Sequence, residues 1–278
     1  EQVPSRASRP RRRLDRKDRA RSGRDARGAV RVELDALAAQ ASIPRLRCSE
    51  VSTAPRDSAP SLRNISFEVG AGEIVAVVGV AGNGQSELAQ LLRGIQPRSG
   101  GLVEIDGRAM SQRALLEHPS VGHIPEDRTR DGLVAEMTIT ENLSLASDGW
   151  NRQSAIANAK EAIALFSIRA RGPSQPVGEL SGGNQQKMIL ARELGRGPSL
   201  VIAAEPTRGL DLGSAEFVHQ RLRAAAESGT AILLITSDLD EAYALSGAVH
   251  VMYAGRLSKR LTVRQSMESA GALMAGLA

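Results

Sequence analysis

Two short stretches of this chain combine residue types and spacing suited to holding phosphate. Residues 180–187 read LSGGNQQK, a serine hydroxyl and two glycines followed by helix-forming residues, so bare backbone amides face an incoming anion with no Cβ in the way. A helix start at that point adds roughly half a positive charge. The second stretch, residues 79–86, leaves an apolar run and keeps the spacing G-x-x-x-x-G-K-[ST] except that Gln85 stands where the lysine belongs. Gly79, Gly82, Asn83, Gly84, Gln85, Ser86 and Glu87 are expected to form a phosphate cradle, with the Ser86 hydroxyl offered to Mg²⁺. The lysine's point charge on the outer phosphates is absent. A charge-assisted hydrogen bond contributes about 1.5–3 kcal/mol, so binding is expected to survive its loss better than turnover does.

Those loops need elements to carry them. Short strands are expected at residues 45–51 and 65–69, and the turn Gly70-Ala71-Gly72 leads into a continuous apolar run at residues 73–78, a buried strand. A helix over residues 86–93 puts Leu88, Leu91 and Leu92 on one face. Residues 101–105 read as an antiparallel edge strand closed by Asp106-Gly107, and residues 142–166 as mainly helical. A loop at 173–179 precedes a helix over 183–195. Two more buried strands, 200–204 and 231–236, flank a helix at 215–227, and a last strand at 249–252 precedes a small C-terminal helix. This alternation implies right-handed βαβ crossovers and a parallel sheet.

Composition narrows the function. Aromatic residues are only 2% of the 278, which removes the platforms on which single-stranded nucleic acid stacks, so no nucleic-acid partner is expected. The lone Cys48 excludes an internal disulfide and a cysteine metal cluster and fits a reducing cytoplasm. His118, His123, His219 and His250 have no metal-ligand spacing and are expected to be surface or core residues. Met252 and Tyr253 are expected in the core, and Glu216, Arg221 and Arg223 on a solvated helix face. No apolar run approaches the roughly 20 residues that span a bilayer, and the opening EQVPSRASRPRRR has no apolar core of a secretory signal. Residues 1–31 carry a net charge of +8, which leaves −3 on the rest. A basic, Pro- and Gly-punctuated run of that kind reads as disordered.

LSGGNQQK, together with GVAGNGQSEL, IPEDR and EPTRGLD, resembles the ABC transporter ATPases over about residues 46–253, and in particular the second ATPase domain of importers for simple sugars and nucleosides. The wording of GVAGNGQ and AAEPTRGLD leans toward the nucleoside branch. The resemblance implies an α/β P-loop ABC-type ATPase domain over residues 45–278, with a mixed sheet, an antiparallel β subdomain and an inserted helical subdomain at about 138–195. It also implies a first ATPase domain ahead of this one, which makes residues 1–44 a remnant linker, a disordered tail or the product of a truncated or shifted frame.

Set against the family pattern, the site departs in four places. Ala204 replaces the strand-end Asp that steadies Mg²⁺, leaving Glu205 alone to orient or deprotonate the attacking water. Ser237 takes the place of the histidine at the γ-phosphate, Glu126 lies at or near the glutamine-loop position, and Gln85 replaces the lysine. No aromatic stands near residues 52–60, where adenine is usually stacked. What remains whole is what serves a partner: Ser181, Gly182, Gly183, Asn184, Gln185 and Asp211 would complete the ATP site of a second ATPase domain in a head-to-tail dimer. The resemblance thus implies an ATP- and Mg²⁺-binding subunit on the cytoplasmic face of the inner membrane. It would bind permease subunits, with a solute-binding protein as an indirect partner. A non-transport nucleotide-binding regulatory or assembly module is the alternative.

Overall fold

The structure is a computed structural model that describes residues 44–55, 60–145 and 151–277. The expectations for the basic tail lie outside these residues, as do residues 56–59 of the segment near 52–60.

Two sheets organise the chain. The smaller has four antiparallel strands in the order β2-β1-β4-β5, formed by β1 Leu46–Ser52, β2 Ile65–Val69, β4 Gly100–Ile105 and β5 Arg108–Ala109. The larger follows β10-β9-β3-β8-β7-β6, with β11 also on β9. Its strands are β3 Ile74–Val78, β6 Val121–Ile124, β7 Leu200–Ala204, β8 Ala231–Thr236, β9 Ala248–Tyr253, β10 Arg256–Leu257 and β11 Leu261–Thr262. The β9-β3-β8-β7-β6 part is parallel, and β10 and β11 add antiparallel pairs.

The larger sheet divides the interior into two cores because side chains alternate across it. Ala76, Val78, Val201, Ala203, Ile232 and Leu234 face a helical layer that includes Met188, Ile189, Val218 and Leu222. Val75, Val77, Ile202, Ala204, Leu233 and Ile235 face the small sheet and Leu88, Leu91 and Leu92. Every residue of β3, β7 and β8 is buried, which is why these strands read as unbroken apolar runs.

The helices are α1 Gln85–Leu92, α2 Gln112–Leu116, α3 Ile139–Ser144, α4 Arg152–Leu165, α5 Gly182–Leu194, α6 Leu212–Glu227, α7 Leu239–Leu245 and α8 Val263–Met274. Six begin with a side chain that caps the first amides: Ser111, Thr138, Asn151, Asp211, Asp238 and Thr262. Among the described α-helices only α1, behind Gly84, and α5, behind Ser181, have no side-chain cap hydrogen bond. Their first amides therefore have no side-chain acceptor.

Some expectations change. The strand at Gly100–Ile105 is not an edge, because the two-residue β5 lies outside it. The helical stretch expected over 142–166 is two helices, α3 and α4. Strand β6 has no counterpart among the expected strands, since its pattern of half-buried and buried residues is too short to register as a run. Tyr253, at the end of β9, is 43% exposed and so is not in the core. Arg221 is not simply solvated: its guanidinium stacks on Phe166 and Phe217 and donates to the Leu165 carbonyl.

Candidate functional site

The loop between β3 and α1 is built for close approach. Gly82 and Gly84 have φ of +87° and +120°, and a Cβ on Gly84 would come within 2.9 Å of Met252 Sδ. A Cβ on Gly79 would meet the Met252 carbonyl at 2.5 Å. The loop is tied down by Asn83, whose Nδ2 donates to the Val80 carbonyl at 2.9 Å and whose Oδ1 accepts from the Ala254 amide at 2.9 Å. Asn83, expected to face phosphate, is thus committed by its side chain to holding the loop's shape. Gln85 is buried. Its Nε2 donates to the Val80 carbonyl at 3.1 Å, and its Oε1 is buried without a partner. Glu87 lies half-buried in the first turn of α1.

Ser86 is exposed and donates to Glu126 Oε2 at 2.9 Å. These are two hard oxygens of the kind Mg²⁺ takes together with waters and phosphate oxygens, and they fit that ion. Ala204 supplies nothing, and among the described residues there is no cluster of three or more His, Cys, Asp or Glu that could hold a metal. A cavity of about 560 Å³ opens beside Ser86, lined also by Glu126, Ala204 and Arg208.

Glu205 follows β7 with φ +47°, and its Oε1 accepts from the Ser237 amide at 2.7 Å. Burial pushes its carboxyl above the usual range, with Glu126 and Glu241 adding to the rise and the Ser237 hydrogen bonds opposing it. The structure therefore brings Glu205 and Ser237 together through the Ser237 backbone. Nearby, Thr207 donates to buried Glu241 at 2.7 Å, and His219 Nε2 lies 3.1 Å from the same carboxylate oxygen.

At the second stretch Ser181 does not cap its helix. Its hydroxyl instead accepts from Asn184 Nδ2 at 2.8 Å, while Asn184 Oδ1 accepts from the Arg169 amide at 2.8 Å. Gln185 donates to the Val177 carbonyl at 3.3 Å. A Cβ on Gly182 would lie 2.8 Å from Arg128 Nη2, and one on Gly183 only 2.4 Å from Ser214 Oγ. Ser214 Oγ donates to Asp211, whose carboxylate also accepts from the Ser214 amide, and these bonds hold the Asp211 carboxyl below its ordinary range. Gly182, Gly183 and Asp211 thus share one corner of the chain.

Sequence reasoning missed two arginines. Arg208 places Nη1 2.5 Å from Glu126 Oε1, and Arg128 donates to the Arg208 carbonyl at 3.1 Å. Both stand inside motifs that had been singled out, IPEDR and EPTRGLD, but their meeting across 80 residues has no signature in either string.

A family model described as ABC transporter matches residues 62–208. The chain is 38% identical over 230 residues to a nucleoside import ATP-binding protein, NupA, of Lactococcus lactis subsp. cremoris (strain MG1363), a match covering 77% of this chain and 45% of that protein. It is 38% identical to the guanosine import ATP-binding protein NupO of Bacillus subtilis (strain 168), covering 78% and 45%. It is also 37% identical to the ribose import ATP-binding protein RbsA 1 of Mesorhizobium japonicum (strain LMG 29417 / CECT 9101 / MAFF 303099), covering 82% and 45%. The chain therefore spans about half the length of the curated relatives it matches. Among solved structures, a dimeric ATP-binding cassette in a post-hydrolysis state with ADP and Pi gives a TM-score of 0.69 at 21% identity, over 79% of this chain and 99% of that one, a likeness of fold. An ATP-bound bacterial Atm1-family exporter gives 0.68 at 29% identity, over 85% of this chain and 41% of that one. The match to the family model spans more than half of the residues, and the glycine-rich loop and the uncapped helix α5 are in place: the chain belongs to the ABC transporter family.

Proposed function

We propose that this chain is the ATP-binding, energy-coupling subunit of an importer for nucleosides or simple sugars, and that it completes a partner's ATP site while its own is degenerate. The observation that carries the reading is the pair of uncapped helix starts. Among the described α-helices, α1 and α5 alone leave their first amides without a side-chain acceptor; α1 follows the loop in which Gly82 and Gly84 have positive φ, and α5 opens on Gly182 and Gly183. The names of the relatives support the solute class, and the dimeric cassette supports a second ATPase domain as partner.

At the home site the amides behind Gly82 and Gly84 would hold phosphate, and Ser86 with Glu126 would hold Mg²⁺, whose chemistry is to neutralise charge between phosphate oxygens. Glu205 would orient water, with its raised carboxyl held by Ser237. Gln85 and Ser237 bring no cation to the outer phosphate, and Ala204 brings no carboxylate to the metal. On the partner-facing side, Ser181 with the amides of Gly182, Gly183 and Asn184 would dock the γ-phosphate of ATP bound by the other domain. Asp211 would lie at the contact between the two. The subunit would work on the cytoplasmic face of the inner membrane against permease subunits, with a solute-binding protein upstream. No helix of the described residues is long and apolar enough to cross a membrane.

Phosphate release by the purified chain, alone and mixed with a competent homologous cassette, tests this reading. Turnover is expected to be close to background alone and to appear in the mixture. Steady turnover by the chain alone at rates usual for transporter ATPases would overturn it.

A further inference from the structure

One carboxylate is kept beside Ser86, and it already serves two donors. Glu126 accepts the Ser86 hydroxyl on Oε2 at 2.9 Å and the Arg208 guanidinium on Oε1 at 2.5 Å. Arg208 belongs to the loop that runs from Glu205 to Asp211. Its amide donates to the Glu205 carbonyl at 3.1 Å and its carbonyl accepts from Arg128. Immediately after it, Gly209 turns with φ +70°, and Asp211 then starts α6 beside Gly183. The side chain of Arg208 therefore ties the loop carrying Asp211 to the oxygen pair expected to take a divalent ion. A divalent cation and a guanidinium repel one another at a few ångströms, so they cannot both sit on one carboxylate at full strength. The Arg208–Glu126 pair is also open to water, with side-chain exposures of 65% and 39%. Solvent screening makes such a pair weak enough to exchange.

Resting on the reading of residues 79–86 as a nucleotide site, we propose that Arg208 and a divalent cation compete for Glu126, so that loading the home site with metal and nucleotide releases Arg208 and loosens the loop from Arg208 to Asp211. The degenerate site then acts as a sensor: its occupancy is reported to the surface that meets the partner, without hydrolysis at home. The inner anchors of the loop stay in place, since Thr207 remains on Glu241 and the Pro206 carbonyl on Gln186. Release is therefore confined to the Arg208 side chain and the residues after it.

The test uses the full chain with Mn²⁺ as the metal probe, read by electron paramagnetic resonance, and the non-hydrolysable analogue AMP-PNP as the nucleotide. Arg208→Gln is expected to tighten Mn²⁺ binding about 2- to 5-fold, the worth of an exposed ion pair. Arg208→Lys should restore the weaker, wild-type value. Glu126→Gln should weaken Mn²⁺ binding, and adding Arg208→Gln to it should change nothing further. Amide exchange over residues 208–211 should quicken on loading in the wild type and be fast from the outset in Arg208→Gln. Unchanged or weaker Mn²⁺ binding in Arg208→Gln, or slower exchange on loading, would overturn the competition while leaving the nucleotide site standing. Failure of every form, wild type included, to bind AMP-PNP would overturn the competition and the home-site reading together.

Discussion

Returning a lysine to position 85 measures how much of the weakness proposed for the home site lies in one charge. Gln85 is buried with one good hydrogen bond, to the Val80 carbonyl, and one buried oxygen that has no partner. A lysine ammonium keeps a donor for Val80 and removes that oxygen, so the loop should keep its shape. Toward phosphate, a neutral amide N–H is an ordinary hydrogen bond of about 0.5–1.5 kcal/mol, and an ammonium is a charge-assisted one of about 1.5–3 kcal/mol. The difference of about 1–2 kcal/mol corresponds to nucleotide binding about 5- to 30-fold tighter. Turnover should hardly move, because Ala204 still offers no carboxylate and Ser237 no imidazole. A single lost transition-state donor costs about 10²–10³ in rate, and Gln85→Lys replaces only one of several. The assay is a titration of a fluorescent ATP analogue with Mg²⁺, run beside phosphate release on the same preparation. A dissociation constant unchanged within error would show that residue 85 does not face phosphate. Turnover rising to that of a competent cassette would show that the missing strand-end carboxylate is not limiting.

Two more outcomes follow from particular contacts. Both ring nitrogens of His123 are buried without partners, and burial, with Arg93 and Arg192 adding to it, holds its pKa well below the usual imidazole value. Below the unfolded pKa of about 6.5 the unfolded chain binds a proton that the folded chain refuses, so stability should fall with acid by at most about 1.4 kcal/mol per pH unit from this group. His123→Leu should flatten that slope in urea midpoints compared at pH 7.5 and 5.5, and an unaltered slope would clear His123. In Gly183→Ala the new Cβ would lie 2.4 Å from Ser214 Oγ, forcing Ser214 off Asp211. The lost hydrogen bond and the gained helix propensity are each about 1 kcal/mol, so stability should change by less than about 1 kcal/mol while stimulation of a partner cassette drops sharply. Full stimulation would show that the Gly183–Asp211 corner does not matter to the partner.

Which parts were legible in the sequence follows from how each signal arises. Strands β7 and β8 could be bounded to the residue because burial on both faces makes them unbroken apolar runs between polar turns. The phosphate loops were legible because their glycines are required by backbone geometry, as at Gly84 with φ +120°. Strand β6 was not, since four residues that run straight into Pro125 are too few to stand out as an apolar run. The Arg208–Glu126 contact and the unpartnered Gln85 oxygen depend on side chains meeting in three dimensions, and no local pattern encodes that. Asn83 shows the converse error, in which a residue at a phosphate-facing position in the motif spends its side chain on the loop's own backbone.

The most direct measurement is ATP-driven uptake of a nucleoside or ribose into vesicles holding this chain, a competent homologous cassette and the permease subunits, with single substitutions on each side of the division of labour. Ser181 is exposed at the uncapped start of α5, so Ser181→Arg should fill the space proposed for the partner's γ-phosphate without disturbing the fold. Uptake should be abolished, with the loss in turnover rather than in ATP affinity, because the partner's own loop supplies most ground-state binding. Gln85→Ala should be comparatively mild. Uptake that survives Ser181→Arg but fails with Gln85→Ala would make the home site the working one and contradict the account.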